Sequence, residues 1–377
     1  MNWIDNDRDF ANWCDEAQRH GVIGVDTEFV WTSTYYPALG LLQMAWDHDR
    51  NAIVDVLAIT DTAPLRALLE NGDVVKVLHE AGSDLPILRR WCGALPRRIV
   101  DTRYAAAFCG LGLTMSLNRL LTAMLGVTLP KTETRTDWLQ RPLTPAQLDY
   151  ATGDVDYMPE LHHALLQRIA QHGNTDWFHE EMLVYEDPEF YAEPPVEDAW
   201  KRVSNIQTIE GTDLNIAIEL ATWREQHGRT HNLARNRMLR DEQLLLCAQR
   251  HPKSNGDLVH DAHLWPKTAE RFGPYIITAI QRGLAMPARA HAEPRDFQVM
   301  DRNLVRSRVE RLRKLVAKRT EPRAIAPELI GARRDFEHLV HAAERHEWPG
   351  DSRLLNGWRH VLLGDTLDDL IRSNFAD

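Results

Sequence analysis

The sequence predicts an α/β domain, a mixed sheet flanked by helices, followed by two small all-α domains. Three observations carry this reading. Short apolar runs rich in β-branched residues crowd the first hundred positions. Helical spacing then alternates with such runs up to about residue 170, the pattern of a sheet covered by helices. Beyond about residue 185 the strand pattern stops and the apolar repeat is helical. A length of 377 residues suits two or three domains, each with its own core. With 44% apolar and 26% charged residues, Gly 20 and Pro 19, the composition excludes a collagenous, low-complexity or wholly disordered chain.

In chain order, positions 5 to 20 repeat apolar residues at helical spacing (Phe10, Trp13, Cys14, Ala17) and stop at Gly21. Strand-length runs follow at 22–26, 39–46, 52–56, 74–78 and 98–100, with Gly, Pro, Asn or Asp at the breaks. Helical stretches are predicted at 84–92, 102–108, 116–125 and 145–169. The acidic stretch 186–198 contains Pro188, Pro194 and Pro195 and reads as a linker or an extended wrapping segment. Positions 212–283 are helical throughout, interrupted at Pro252 and Pro266. A second break at 286–295 precedes another helical stretch running to the C-terminus. The expected domains are therefore 1–172 (α/β), 173–209 (linker), 210–286 and 287–377 (both helical).

No window reaches the ~18 consecutive apolar residues of a membrane helix. The polar, acidic start is unlike a secretory signal. Cys14, Cys92, Cys109 and Cys247 are widely spaced with no C-x-x-C pair, which argues against a disulfide framework or thiolate metal site and fits a reducing cytoplasm. The net charge of −11 argues against indiscriminate adhesion to nucleic acid or anionic membrane. The charge is uneven, however: positions 201–320 hold 22 basic and 13 acidic residues. An acidic body joined to a basic middle fits an enzyme that collects cations in one place and holds an anionic polymer in another. Unequal surface solvation is the alternative.

Side chains alternate across a strand, so Asp26 and Glu28 at the end of the first run project from one face. Two adjacent carboxylates repel, and each pKa is raised unless the charge is paired. A divalent cation removes that penalty, and hard oxygen ligands select Mg²⁺ or Mn²⁺. Alone the pattern is common; composition gives about eight acid-x-acid triplets by chance in such a chain. Asp84 falls where a strand run gives way to a helix, where an ordinary N-cap is the competing reading. Tyr150 and Asp154 lie at i and i+4 and share a helix face. A phenol there can orient a metal-bound water, although with a pKa near 10 it is a poor base. A buried tyrosine beside a capping aspartate is the alternative.

Taken in order, Asp26-x-Glu28, Asp84 and Tyr150-x-x-x-Asp154 resemble the three exonuclease motifs of the DEDD superfamily. The histidine subclass places His five residues before the last Asp; Asp149 stands there, which favours the tyrosine subclass. Further stretches resemble bacterial ribonuclease D: Val25-Asp-Thr-Glu-Phe29, Thr34-Tyr-Tyr-Pro-x-Leu-Gly-Leu-Leu-Gln43, Asp101-Thr102, Lys131-x-x-x-Arg-Thr-Asp-Trp138 and Arg141-Pro-Leu-Thr144. Leu220-Ala-Thr-Trp-Arg-Glu225 resembles the first helicase-and-ribonuclease-D C-terminal (HRDC) module, and Gly357-Trp-Arg359 with Leu367-x-x-Leu370 the second. The likeness covers nearly the whole chain and is thinner in the helical half. Two stretches depart from it. Phe29-Val-Trp31-Thr-Ser33 stands where the family has a basic stretch, and Asn232-Leu-Ala-Arg-Asn236 where a Pro-Arg turn is expected.

The resemblance implies a ribonuclease H-like nuclease domain and a 3′→5′ exoribonuclease that trims tRNA precursors and other structured RNAs, releasing nucleoside 5′-monophosphates. It implies two divalent metal ions, Mg²⁺ or Mn²⁺, held by Asp26, Glu28, Asp84 and Asp154, with Tyr150 positioning the water. Thr27, Phe29, Tyr36, His79, Lys131, Arg135 and Trp138 are candidate RNA contacts near the site. Arg224, Arg235, Arg237 and Lys253 are candidates in the first helical module, where phosphate contact carries little sequence information. The expected state is a cytoplasmic monomer. A DNA 3′→5′ exonuclease of the same superfamily and a catalytically inactive nucleic-acid-binding scaffold are the competing functions.

Overall fold

The computed structural model describes residues 1–129, 136–289 and 301–375. Among the described residues six strands form one mixed sheet: β1 (Asn2–Ile4), β2 (Val22–Val30), β3 (Ala38–Asp47), β4 (Arg50–Asp55), β5 (Val75–Leu78) and β6 (Ile99–Asp101), in the order β1-β4-β3-β2-β5-β6. β3 and β4 pair antiparallel, whereas β1 with β4, β2 with β5 and β5 with β6 pair parallel. β5 is buried along its whole length, as a parallel strand covered on both faces must be. The cost is a buried ammonium: Lys76 Nζ donates to the carbonyls of Asn71 (2.7 Å) and Val74 (2.9 Å), and burial pushes its pKa down to about 7. β1 was not expected from the sequence, since three residues carry no period.

The helices around the sheet are α1 (Asp7–Ala17), α2 (Ala63–Glu70), α3 (Ala81–Cys92), α4 (Thr102–Ala107), α5 (Leu117–Leu125), α6 (Pro145–Asp156), α7 (Met158–Gln171) and α8 (Thr175–Met182). The start of α6 is written in the sequence. Thr144 and Gln147 form a reciprocal capping box and Pro145 occupies the first turn. The predicted continuous helix 145–169 is two helices that meet at Tyr157. The proline-rich stretch read as a linker or an extended wrapping segment is ordered into short 3-10 turns, Leu183–Glu186, Pro188–Tyr191 and Val196–Arg202, with Tyr185 buried. Prolines at the starts of such turns set φ without wasting a donor.

Among the described residues nine more helices follow: α9 (Gly211–His231), α10 (Arg235–Met238), α11 (Asp241–Arg250), α12 (Asn255–Asp261), α13 (Pro266–Leu284), α14 (Arg302–Thr320), α15 (Arg333–Glu344), α16 (Gly357–Leu363) and α17 (Asp365–Arg372). By compactness the chain divides into two units. One comprises Met1–Phe29, Leu39–Tyr191 and Val299–Asp377, the other Val30–Ala38 and Ala192–Gln298. In the first unit, apolar residues of α14–α17 join the cluster that covers the sheet: Trp358 packs 5.0 Å from Phe108 and 5.8 Å from Trp177, ring centre to ring centre. The second unit has its own core of Leu214, Leu220, Leu244, Leu258 and Ile276.

Candidate active site

β2 brings Asp26 and Glu28 to one face of the sheet, and α6 presents Tyr150 and Asp154 to the same place. The close approach depends on Gly24. A Cβ built there would lie 2.6 Å from Met158 Cβ and 3.0 Å from the Val155 carbonyl, so the strand rests directly on the junction of α6 and α7. Asp26, Glu28 and Asp154 each offer a carboxylate oxygen, and the three oxygens lie within 4.8 Å of one another. All three residues are half-buried at a cleft of ≈ 750 Å³ that Tyr150, His79, Glu80, Arg103 and Asn118 also line.

The electrostatics are those of an unpaired acidic cluster. Burial, then repulsion from Asp84, Asp154 and Glu28, holds the Asp26 pKa well above the carboxylate range. Burial and its acidic neighbours raise Glu28 to about 8, and burial raises Asp154 to about 7. Among the described residues no basic side chain forms an ion pair with any of the three. Arg103, which lines the cleft, is paired with Glu80 at 2.6 Å. Carboxylates that cannot all ionise alone, with hard oxygen donors converging, fit a divalent cation.

Asp84 sits one step behind this cluster. It is 5% exposed in the first turn of α3 and accepts a hydrogen bond from the Thr27 hydroxyl. Burial raises its pKa to about 7, and its charge acts on both Asp26 and Glu28. Thr27, proposed from the sequence as an RNA contact, is thus buried and occupied with Asp84. The Tyr150 hydroxyl hydrogen-bonds Asp154; burial and the surrounding acids push its pKa above the usual phenol value, so it remains protonated.

The other expected contacts divide. His79 lines the cleft, its Nδ1 2.8 Å from Thr102 Oγ1, and burial lowers its pKa to about 4, so the imidazole is neutral. Phe29 is half-buried, and Tyr36 donates its hydroxyl to Glu193. Trp138 does not offer a stacking face. It is 4% exposed and lies 6.1 Å from the Tyr150 ring. Its backbone is pressed against Gly40, where a Cβ would come within 2.6 Å of the Trp138 carbonyl. Arg141 ties the same place together, binding Asp55 through two nitrogens and donating to the carbonyls of Gly40 and Trp138. Arg224 is also a correction. It is 4% exposed, paired with Asp241 at 2.8 Å and donating to the Leu239 carbonyl, so it is structural. Arg235, Arg237 and Lys253 are exposed. Lys131 and Arg135 lie outside the described residues.

Sequence reasoning assigned no role to Asp101. It is 2% exposed and accepts four hydrogen bonds, from the backbone N–H groups of Glu80, Ala81 and Arg103 and from the Tyr185 hydroxyl. These bonds hold Glu80 at φ 71°, a left-handed conformation unusual for a side chain of this kind, and so set where α3 begins. The signal was an acid at a strand end directly before a helix, which looks like a local cap; its partners 20 and 84 residues away carry no sequence mark.

Comparison with known proteins places these features in context. Residues 1–170 match the family described as 3′-5′ exonuclease and residues 213–280 the HRDC domain. Ribonuclease D of Desulfotalea psychrophila is 33% identical over 366 residues, covering 97% of this chain and 96% of the relative. Ribonuclease D of Escherichia coli is 32% identical over 379 residues and 99% of each chain. The crystal structure of Escherichia coli RNase D, described as an exoribonuclease involved in structured RNA processing, superimposes with a TM-score of 0.87 over 99% of both chains at 30% identity.

Proposed function

The chain belongs to the ribonuclease D family, a 3′→5′ exoribonuclease by that membership, and from this premise we propose that it trims the 3′ ends of tRNA precursors with Asp26, Glu28, Asp84, Tyr150 and Asp154 as its catalytic residues. The observation that carries the assignment is the convergence of the Asp26, Glu28 and Asp154 carboxylates within 4.8 Å, beside Tyr150.

Two divalent cations, Mg²⁺ or Mn²⁺, would be held by Asp26, Glu28 and Asp154, with Asp84 contributing from behind Thr27. Bound there, such ions supply Lewis acidity, which acidifies water and offsets charge on a leaving oxygen. The protein's own groups do the rest. The acids stay deprotonated once their charge is neutralised. The Tyr150 O–H, protonated throughout, orients the attacking water rather than removing its proton. Water adds at the last phosphodiester, the P–O3′ bond breaks, and the terminal nucleotide leaves as a nucleoside 5′-monophosphate while the shortened RNA keeps a 3′-hydroxyl. Exposed Arg235, Arg237 and Lys253 would hold phosphates of the RNA body. The working form is read as a cytoplasmic monomer; no described helix is long and apolar enough to cross a membrane.

Incubating the purified protein with a 3′-extended tRNA and Mg²⁺ or Mn²⁺ tests this. Stepwise shortening from the 3′ end with release of 5′-monophosphates is expected. Intact RNA, or faster loss of a matched DNA oligonucleotide, would overturn it.

A further inference from the structure

The connection between β2 and β3 carries a second feature, outside the acidic cleft and within the helical unit. Trp31 is 62% exposed, yet its orientation is fixed, because the indole N–H donates to the Tyr35 carbonyl at 3.1 Å. No other ring or cation lies against it among the described residues. The surrounding segment is anchored. The Ala234 N–H donates to the Ser33 carbonyl (3.2 Å), and the Tyr36 N–H to Asn232 Oδ1 (3.0 Å). Together Trp31, Thr32, Thr34, Tyr35, Arg235 and Asn236 line a recess of ≈ 320 Å³ that no carboxylate among the described residues lines.

We propose that this recess is a nucleotide-binding subsite for single-stranded RNA, with a base stacked on Trp31 and an adjoining phosphate held by Arg235. The inference rests on the exoribonuclease reading and names a place where its substrate is held. An exposed, oriented indole is a platform that any base can use, which suits an enzyme that must accept every sequence. Thr32, Thr34 and Asn236 supply donors and acceptors for a base edge or ribose. The local charge is positive. Beneath the recess the buried Glu225 faces Arg202, Arg229 and Arg235, and Arg235 is the most distant of the three at 3.7 Å and 43% exposed, with Glu193 taking part of Arg229. An anionic phosphate fits that surplus, whereas a basic or apolar peptide would not. In the sequence Trp31 follows Glu28 by three residues, at most about 10–11 Å of extended backbone.

The test is the affinity of a fluorescein-labelled oligouridylate, measured by anisotropy in EDTA so that no cleavage intervenes. Trp31→Ala is expected to weaken binding about tenfold, the loss of one base stack, and Trp31→Phe to restore it to within about twofold. Arg235→Ala is expected to lower the slope of log affinity against log salt by about one. Circular dichroism melts of the same variants check that they are folded. Equal affinity of folded Trp31→Ala and the unaltered protein would overturn the subsite, as would failure of the unaltered protein to bind the probe. If the probe binds through Trp31 but Mg²⁺ and Mn²⁺ release no nucleotide, the exoribonuclease reading fails and the subsite stands.

Discussion

Asp26, Glu28 and Asp154 share one electrostatic problem. In the unfolded chain each carboxylate ionises near pH 4, whereas burial and its acidic neighbours raise Glu28 to about 8, and burial raises Asp154 to about 7, in the fold. Their contribution to stability is therefore fully present below about pH 4 and lost as pH rises through 7 to 8. A bound cation offsets this loss. The increase in melting temperature on adding Mg²⁺ should be larger near pH 8.5 than near pH 5.5, and Asp26→Asn should shrink that difference. An equal increase at both pH values would separate the acids from cation binding. Asp26→Asn should also bring nucleotide release to background and weaken metal binding in calorimetry. Tyr150→Phe should slow turnover on the order of a hundredfold with metal affinity nearly unchanged; an affinity loss as large as that of Asp154→Asn would make the tyrosine a ligand-positioning group instead. At this scale the sequence was most readable where geometry is local, the i, i+2 pair on β2 and the i, i+4 pair on α6. Arg224 and Trp138 were not readable, because residue type does not reveal which face of an element points inward.

Elements explain why the acids meet. β2 approaches the α6–α7 junction only because Gly24 has no side chain, so Gly24→Ala should displace Asp26 from Asp154 and lower turnover about 100-fold, as ångström-scale misplacement does. A matching loss of metal affinity with the melting temperature of the apo protein little changed distinguishes this from general unfolding. At the other edge of the site, Asp101 joins β6, the start of α3 and Tyr185. Asp101→Ala orphans several buried donors at roughly 1–3 kcal/mol each, and urea titration should show the loss directly. Strand and helix order in the first 170 residues was legible because apolar period and punctuation agree there. For the segment 186–198 the sequence left a linker and a wrapping path both open, because proline-rich composition fits an ordered 3-10 path as well as a flexible one.

At the scale of the whole chain, the first unit is held by contacts far apart in sequence. Glu181 of α8 accepts from Arg359 through two nitrogens, at 2.6 and 2.8 Å, and from the Trp358 indole at 2.8 Å, with both ionised groups largely buried. Arg359→Ala leaves the Glu181 charge without its main partner and should cost about 3–5 kcal/mol, read as a fall in melting temperature. The sequence showed that the last 90 residues are helical but not where they pack, since an apolar helix face does not name its partner. Their partners are α8 and the end of α4, beside the sheet. The chain leaves the first unit at Tyr191 and returns to it only near residue 300, so the order of synthesis matters. At 5–20 residues per second, roughly 10–40 s separate the appearance of α8 from that of the helices that finish its burial. During that interval the nascent chain carries all five proposed catalytic side chains on a body with unsealed apolar surface, and a message broken late in its length would yield a protein for the chaperones and proteases, not a smaller nuclease.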